Sequence, residues 1–282
     1  MKIGISRPAT PPAAPNVDID VAVLAREAER IGYESFWVGE HPVAPVHTQS
    51  SNQEFPDGNV DGYQDCLIGL ARASAMTSTI KLGTGVLLLL ERNPLLLAKE
   101  IATLDRYSGG RFILGVGSGW HREEIEILGG DFDHRWTQTR EALQVMKGLW
   151  TQEISEFHGK YYDFPQVRSS PKPLQKPHPP VLLGLFTDKA LQRVVDHADG
   201  WMPALFPPEA IREARVTLDR LAGEAGRDPA SISITIYVMD ADRDAVRRYE
   251  EAGADRLVAL PGRASTEREA IDVMERYGEL LV

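Results

Sequence analysis

A single cysteine, Cys66, occurs in the 282 residues, so no disulfide can form within the chain and nothing suggests a secreted, stapled fold. A cytoplasmic location is the resulting expectation. Basic residues are in the minority, 31 Lys and Arg against 41 Asp and Glu, for a formal net charge of -10. That balance argues against general nucleic-acid binding, in which Lys and Arg neutralise phosphates, and still allows a locally cationic pocket. No apolar run approaches the ~20 residues that span a bilayer. The longest aliphatic run is Val86 to Leu90, and Pro8, Pro11, Pro12 and Pro15 with Asp18 and Asp20 break the N-terminal stretch, so neither a signal peptide nor a membrane segment is expected. The seven histidines form no H-x-H after the first strand and no H-E-x-x-H, and "HREE" at His121 lacks a second histidine at ligand spacing, so no metal is expected. No G-x-S-x-G elbow and no P-loop occurs either.

What is present is an ordinary soluble composition, 43% hydrophobic and 26% charged, able to bury a substantial core. The length suits either two average domains or one large α/β barrel. The element pattern decides for the barrel. Strand-type runs begin at "KIGIS" (Lys2 to Ser6) and "ESFWV" (Glu34 to Val38) and continue through "IKLGTGV", "RFILGV", "PVLLGL", "GWMPAL", "ISITIYV" and "DRLVAL". Helical patterns alternate with them: one through Val21, Leu24, Ala25, Ala28 and Ile31 ended by Gly32, then Asp65 to Met76, Pro94 to Tyr107, Thr137 to Trp150, Lys189 to His197, Glu209 to Ala225, Asp244 to Ala252 and Thr266 to Leu281. Thr266 and Glu269 have capping-box spacing. Eight strand-helix units predict a TIM (β/α)8 barrel, an α/β fold, as one domain over residues 1–282.

Two insertions exceed a minimal barrel: His41 to Gly62 after the second strand, and Glu153 to Pro179 with a hairpin-like "FHGKYYDF". Taken as βα loops, both are candidate walls or lids of a site at the C-terminal mouth, with surface decoration or a subunit contact as the plain alternative.

"RFILGVGSGWHREE" (Arg111 to Glu124) invites comparison with the dinucleotide fingerprint G-x-G-x-x-G, but Gly115, Gly117 and Gly119 are evenly spaced and no acidic strand end follows ~20 positions on. Glycines at a barrel strand end let a flat ring or another backbone approach. "LGTGV" repeats the economy one strand earlier, with Trp37, Trp120 and Trp201 near strand ends. The pairing favours a slot for an aromatic ligand over turn packing alone.

The stretch "IKLGTGVLLLLERNPLLLAKEIATLDRYSGGRFILGVGSGWHREEIEILGG", from Ile80 to Gly130, resembles the core of the bacterial luciferase-like monooxygenase family, particularly its coenzyme F420-dependent oxidoreductase branch. "FWVGEHP" before it and "PVLLGL…ALQRVVDHADGW" after it extend the likeness over most of the chain. The resemblance implies a barrel whose mouth holds a flavin or deazaflavin, usually in a homodimer. It implies F420, or alternatively FMN, as cofactor and a small organic molecule as substrate. A flavin reductase partner is implied only in the FMN case. Glu40 and His41 match the acidic residue and histidine that close strand two, and His41 is implied to exchange a proton during hydride transfer. The ring is implied to rest on Thr84, Gly85 and Val86, at a non-prolyl cis bond between the last two, and beside Gly117, Ser118, Gly119 and Trp120. After strand five, "GLFTDKA" keeps Gly184 but has Leu185 and Phe186 where many relatives have a second glycine, with Thr187 and nearby amides as the candidate phosphate site. A catalytic glutamate that some members carry in the "GVGSGW" segment is Trp120 here, which implies substrate chemistry different from the sugar-phosphate dehydrogenase type.

Each residue also has a structural reading. His41 is expected in an extended turn before Pro42, which suits a side-chain type whose unperturbed pKa lies close to neutrality, yet a histidine beside a carboxylate also serves structure. Glu40 either orients His41, touches the ring or is satisfied near a strand end. Trp37 reads as barrel core, and Trp120 as a ring neighbour or a plug. Glu123 and Glu124 fall where a helix N-terminus favours negative charge anyway. Lys172, Lys176 and His178 could meet an acidic cofactor tail or belong to a solvated loop. A flavin or deazaflavin carrier without turnover is the alternative outside enzymes.

Overall fold

Eight parallel strands close on themselves, in the order β1 (Lys2–Ser6), β2 (Ser35–Val38), β3 (Lys81–Thr84) with its continuation β4 (Leu87–Leu88), β5 (Phe112–Gly117), then β8, β9, β10 and β11. β6 (Ser155–His158) and β7 (Asp163–Val167) form a separate antiparallel hairpin, after which come β8 (Val181–Gly184), β9 (Gly200–Trp201), β10 (Ser233–Met239) and β11 (Arg256–Leu260). β11 pairs with β1, and β3 and β4 both pair with β5, which completes the (β/α)8 barrel. The computed structural model describes residues 1–10, 19–43, 45 and 64–281.

Helices α1 (Val21–Ile31), α2 (Cys66–Met76), α3 (Pro94–Tyr107), α4 (Arg122–Ile127), α5 (Arg135–Thr151), α6 (Ala190–His197), α7 (Pro208–Glu224), α8 (Arg243–Glu251) and α9 (Glu267–Tyr277) surround it. Local chemistry sets their ends. Asp20, Asp65, Asn93, Asp242 and Thr266 each accept a first-turn amide, and Gly32 takes the left-handed φ of 109° that closes α1. Glu269 accepts from Ser265, one residue before the cap, so the box at Thr266 is a near variant of the usual pair.

Strand alternation sorts the core into two layers. Trp37, Ile113, Leu182, Met202, Tyr237 and Val258 fill the barrel, while their neighbours Phe36, Phe112, Leu183, Ile236 and Leu257 face the helices. Gly83 is required by this packing, since a Cβ there would lie 2.2 Å from the Trp37 ring.

Two strands differ from the sequence reading. The third is interrupted: four steps from Gly83 to Leu87 face three from Ile113 to Val116, a bulge containing the cis bond Gly85–Val86. The sixth pairs regularly only at Gly200 and Trp201, because Pro203 has no N–H to offer; its carbonyl accepts from Tyr237 instead. The Glu153 to Pro179 insertion follows α5 and leads into β8, so it is an αβ connection. The hairpin leans on α5, where Glu141 accepts from the Lys160 and Tyr161 amides.

The N-terminal face is locked by charge. Arg111, buried just before β5, donates all five of its N–H groups, to the carbonyls of Ser74, Thr77, Ile80 and Ser108 and to the Thr77 hydroxyl. Asp105 accepts from the amides of Leu174 and Gln175, and Glu34 takes a two-pronged bond from Arg256 at 2.8 Å on each arm. The distinctive "LDRYSGGR" is therefore scaffold.

Candidate active site at the barrel mouth

The C-terminal strand ends surround a cavity of about 440 Å³, within the size range of small-molecule sites. Its walls are largely apolar, with Val38, Val86, Leu88, Met202 and Leu260 among them, and its polar lining includes Glu40, His41 and Tyr237. Arg7 and Arg263, from the exits of β1 and β11, also line it.

β2 delivers Glu40 and His41 in succession, to different tasks. Glu40 accepts from the Leu88 amide at 3.1 Å, from the Arg92 guanidinium and from the Cys66 thiol at 3.2 Å, so it ties the β2 exit to β4 and α2. Arg92 also pairs with Asp65 at 2.8 Å. Burial disfavours its charge, yet the hydrogen bonds and charge of Glu40, with Asp65, hold its pKa above the ordinary range. Burial and the Glu40 charge push the Cys66 thiol well up, which keeps it protonated and unreactive.

The carboxylate that engages His41 is Glu124, not Glu40. His41 Nδ1 lies 2.7 Å from Glu124 Oε2, with the two side chains 8% and 0% exposed. Glu124 stands in the first turn of α4, where helix polarity alone accounts for an acid; the fold also turns it inward beneath the histidine. With Glu124 ionised, Nδ1 is the donor, which leaves Nε2 as the basic nitrogen of the ring. The Trp120 ring meets His41 edge-on at 5.8 Å and leans on His121 at 5.0 Å, forming wall rather than barrel core.

At the third strand, the sequence left out a residue that matters. Tyr237, on β10, reaches beneath the Gly85–Val86 bond, and a Cβ on Gly85 would lie 1.8 Å from its hydroxyl. That hydroxyl is buried, lines the cavity and has no hydrogen-bond partner among the described residues. Burial pushes its pKa well up, so it is a donor. The available signal was a lone phenol at an inward position of the apolar run "ISITIYV".

The short turn after β4 ends at Glu91, whose two carboxyl oxygens are buried without a partner among the described residues. Burial, then the charges of Glu124 and Glu40, push Glu91 from 4.5 up to about 9 against the opposing pull of Arg92.

Of the expected ring and phosphate residues, Gly85, Val86, Trp120, Gly184 and Phe186 line the cavity, whereas Thr84, Gly117, Ser118, Gly119, Leu185 and Thr187 stand outside its lining. The room beside the β5 glycines is filled by protein: a Cβ on Gly115 would meet the Thr84 carbonyl at 2.1 Å, and one on Gly117 the Val86 side chain at 2.7 Å. These glycines let β5 pack against the bulge. Thr84 bridges to the Gly115 amide and carbonyl, Leu185 is buried under Trp201, and Thr187 is exposed with its hydroxyl accepting from Arg193 at 3.3 Å. Lys172 caps the α5 carbonyls of Leu149 and Gln152, Lys176 bonds Pro173 and His178 bonds Pro179, all before β8 and so at the opposite end from the cavity. No residue of 153–179 lines the cavity, and residues 44 and 46–62 of the other insertion lie outside the described residues. Among the described residues no cluster of three or more His, Cys, Asp or Glu is arranged for a metal, and no helix is long and apolar enough to cross a membrane.

A closed barrel with an apolar, histidine-bearing mouth beside a cis-peptide bulge defines a ligand-binding (β/α)8 protein of enzyme type. The chain belongs to the luciferase-like monooxygenase family, whose sequence model matches residues 1–278. It is 36% identical over 260 residues, 89% of this chain and 91% of the other, to the uncharacterized protein Rv0953c of Mycobacterium tuberculosis. It is 29% identical to the FMNH2-dependent dimethylsulfone monooxygenase of Pseudomonas putida over 54% of this chain and 42% of that one. Two solved structures share the fold: the monooxygenase RslO1 of Streptomyces bottropensis, with a TM-score of 0.81, 21% identity and coverage of 100% and 98%; and an F420-dependent secondary alcohol dehydrogenase in complex with an F420-acetone adduct, with 0.75, 19%, 99% and 98%.

Proposed function

We propose that this chain, as one domain over residues 1–282, is a cytoplasmic F420-dependent oxidoreductase acting on a small organic substrate, with His41 moving the accompanying proton. The observation that carries this reading is His41, held through Nδ1 by a buried carboxylate at 2.7 Å on the wall of a largely apolar cavity. The lining suits a flat conjugated ring, with Gly85, Val86, Gly184 and Trp120 around it and the Tyr237 hydroxyl, which has no partner among the described residues, as a donor to an oxygen on the ring or substrate. A bound deazaflavin supplies hydride chemistry at its C5 carbon. The protein's part is to hold ring and substrate in register, exclude water with apolar walls and exchange a proton at His41 Nε2. Glu40 keeps the turn bearing His41 in place. The phosphate belongs to the Gly184 to Thr187 turn before α6, whose first amides have no side-chain cap. The F420-dependent fold relative supports the cofactor assignment. A homodimer is part of the proposal, and light scattering tests it.

The P. putida relative favours a second reading, an FMN-dependent two-component monooxygenase fed by a separate reductase. Fluorescence titration with F420 and FMN, each oxidised and reduced, separates the two: F420 binding is expected, and tight FMN binding without F420 binding installs the second. In the active enzyme, His41→Ala lowers kcat by about 10²-fold or more with little change in F420 affinity. Unchanged kinetics would remove His41 from the chemistry. F420 binding indifferent to that substitution, with no turnover of any substrate tried, points to a carrier.

A further inference from the structure

β1 and β11 leave the barrel side by side, and their exits stay joined. The Ala9 amide donates to the Gly262 carbonyl at 2.9 Å and the Ala9 carbonyl accepts from the Ala264 amide at 2.9 Å, which sets Arg263 opposite Ala9 as a parallel pair. Paired residues, and residues two apart along an extended chain, share a face, so Arg7, Ala9 and Arg263 fall together, and all three line the cavity. The Arg7 guanidinium donates to the hydroxyl of Thr10, another lining residue, at 3.3 Å. Arg263 is exposed and makes no hydrogen bond, ion pair or ring contact among the described residues. The one carboxylate that lines the cavity among the described residues is Glu40, and Arg92 holds it. A chain of net charge -10 thus presents an uncommitted cation at its cavity. We propose that the substrate is a small organic carboxylate whose anionic group docks on Arg263, with Arg7 beside it.

The place of the two arginines in the barrel assigns this anion to the substrate. With β3 and β4 counted as one strand, β1 lies four steps from β8 in either direction round the closed sheet. Arg7 therefore lines the cavity across from Gly184 and the turn proposed for the cofactor phosphate. His41 follows β2, which pairs with β1, so the histidine and the cations come from neighbouring exits. A carboxylate held there lays its apolar part along Val38 and Leu260 and brings a carbon of the same small molecule beside His41. One uncommitted guanidinium calls for a monoanion, and its planar fork matches a carboxylate through two parallel hydrogen bonds. The acidic groups of a deazaflavin carry the same charge, so the cofactor's own tail is the competing source.

Calling the docked molecule a substrate rests on the oxidoreductase reading; the anion site does not, and is measured on the full chain without turnover. Phenylacetate and phenylacetamide are matched probes that differ in charge, and the fluorescence of Trp120 on the cavity wall reports their binding. Phenylacetate should bind about tenfold more tightly than the amide, by a margin that narrows as salt is raised. Arg263→Gln should abolish the margin and leave thermal unfolding unchanged, because the side chain is exposed and bonds nothing among the described residues. Affinity for F420 should not move in that variant. Equal binding of the two probes, a margin that survives Arg263→Gln, or displacement of phenylacetate by a lower concentration of inorganic phosphate overturns the proposal. So does an F420 affinity that falls about tenfold in Arg263→Gln while the deazaflavin riboside, which lacks the phosphate and acidic tail, binds as before: the cation then serves the cofactor. Equal binding of the probes with F420-dependent turnover of neutral substrates leaves the oxidoreductase standing without the carboxylate. The expected margin, lost in Arg263→Gln, in a protein that binds no F420 leaves the anion site standing without the oxidoreductase.

Discussion

At the N-terminal end of the barrel Arg111 spends every donor it has on a carbonyl or hydroxyl, whereas at the C-terminal end Tyr237, Glu91 and Glu124 keep buried oxygens with no partner among the described residues. Both ends bury polar groups, and the difference lies in whether the fold supplies the partner. Satisfied networks rigidify a scaffold; unsatisfied groups beside a cavity are available to a ligand or a proton.

Substitutions at the two ends should therefore diverge. The largest effect is expected from Arg111→Met, which strands four carbonyls and a hydroxyl and should lower unfolding free energy by at least about 3 kcal/mol in urea denaturation. A loss under 1 kcal/mol would erase the contrast. Glu91→Gln should instead stabilise the protein. Because the folded pKa of about 9 lies above the ordinary 4.5, the wild type is favoured below 4.5 and loses stability as pH rises to about 9. Its slope there is at most about 1.4 kcal/mol per pH unit, and the variant should lack that contribution in melts run across the range.

Tyr237→Phe removes a hydroxyl that bonds nothing among the described residues, so thermal unfolding should change by no more than about 1 kcal/mol. Ligand affinity should nevertheless fall about tenfold, and an unchanged affinity would make the phenol mere filling. The smallest effect is expected at Glu29→Gln on the rim of the N-terminal face. Although partial burial acts to raise it, Glu29 is held down to about 2 by the amides of Ile80, Thr79 and Ser78. Its contribution is present above 4.5 and fades as pH falls towards 2, so acid titration of stability should bring wild type and variant together at the low end.

The alternation of apolar runs was enough to read eight strands, their helices and their order, because burial on one face leaves a period in the residues. The fine structure was less legible: the third strand's bulge depends on register against β5, and the sixth strand's shortness on where Pro203 falls. In the site, His41, Glu40, Gly85, Val86 and Trp120 were named from motif likeness and lie on the cavity. The role of Glu124 was not legible, since its partner is 83 residues away and a first-turn acid has a sufficient local reason to exist. Lys172 misled in the opposite sense, as a cation in a Pro-rich loop that caps α5 at the far end of the molecule.

The sequence by itself determined the closed barrel, the helix ends at Gly32 and Thr266 and the family, because period, capping residues and long motifs are local in the chain. Only the tertiary structure decided which carboxylate holds His41, which glycine gaps protein fills and which buried oxygens lack a partner among the described residues. Those properties depend on distances between strand ends that only closure of the barrel brings together.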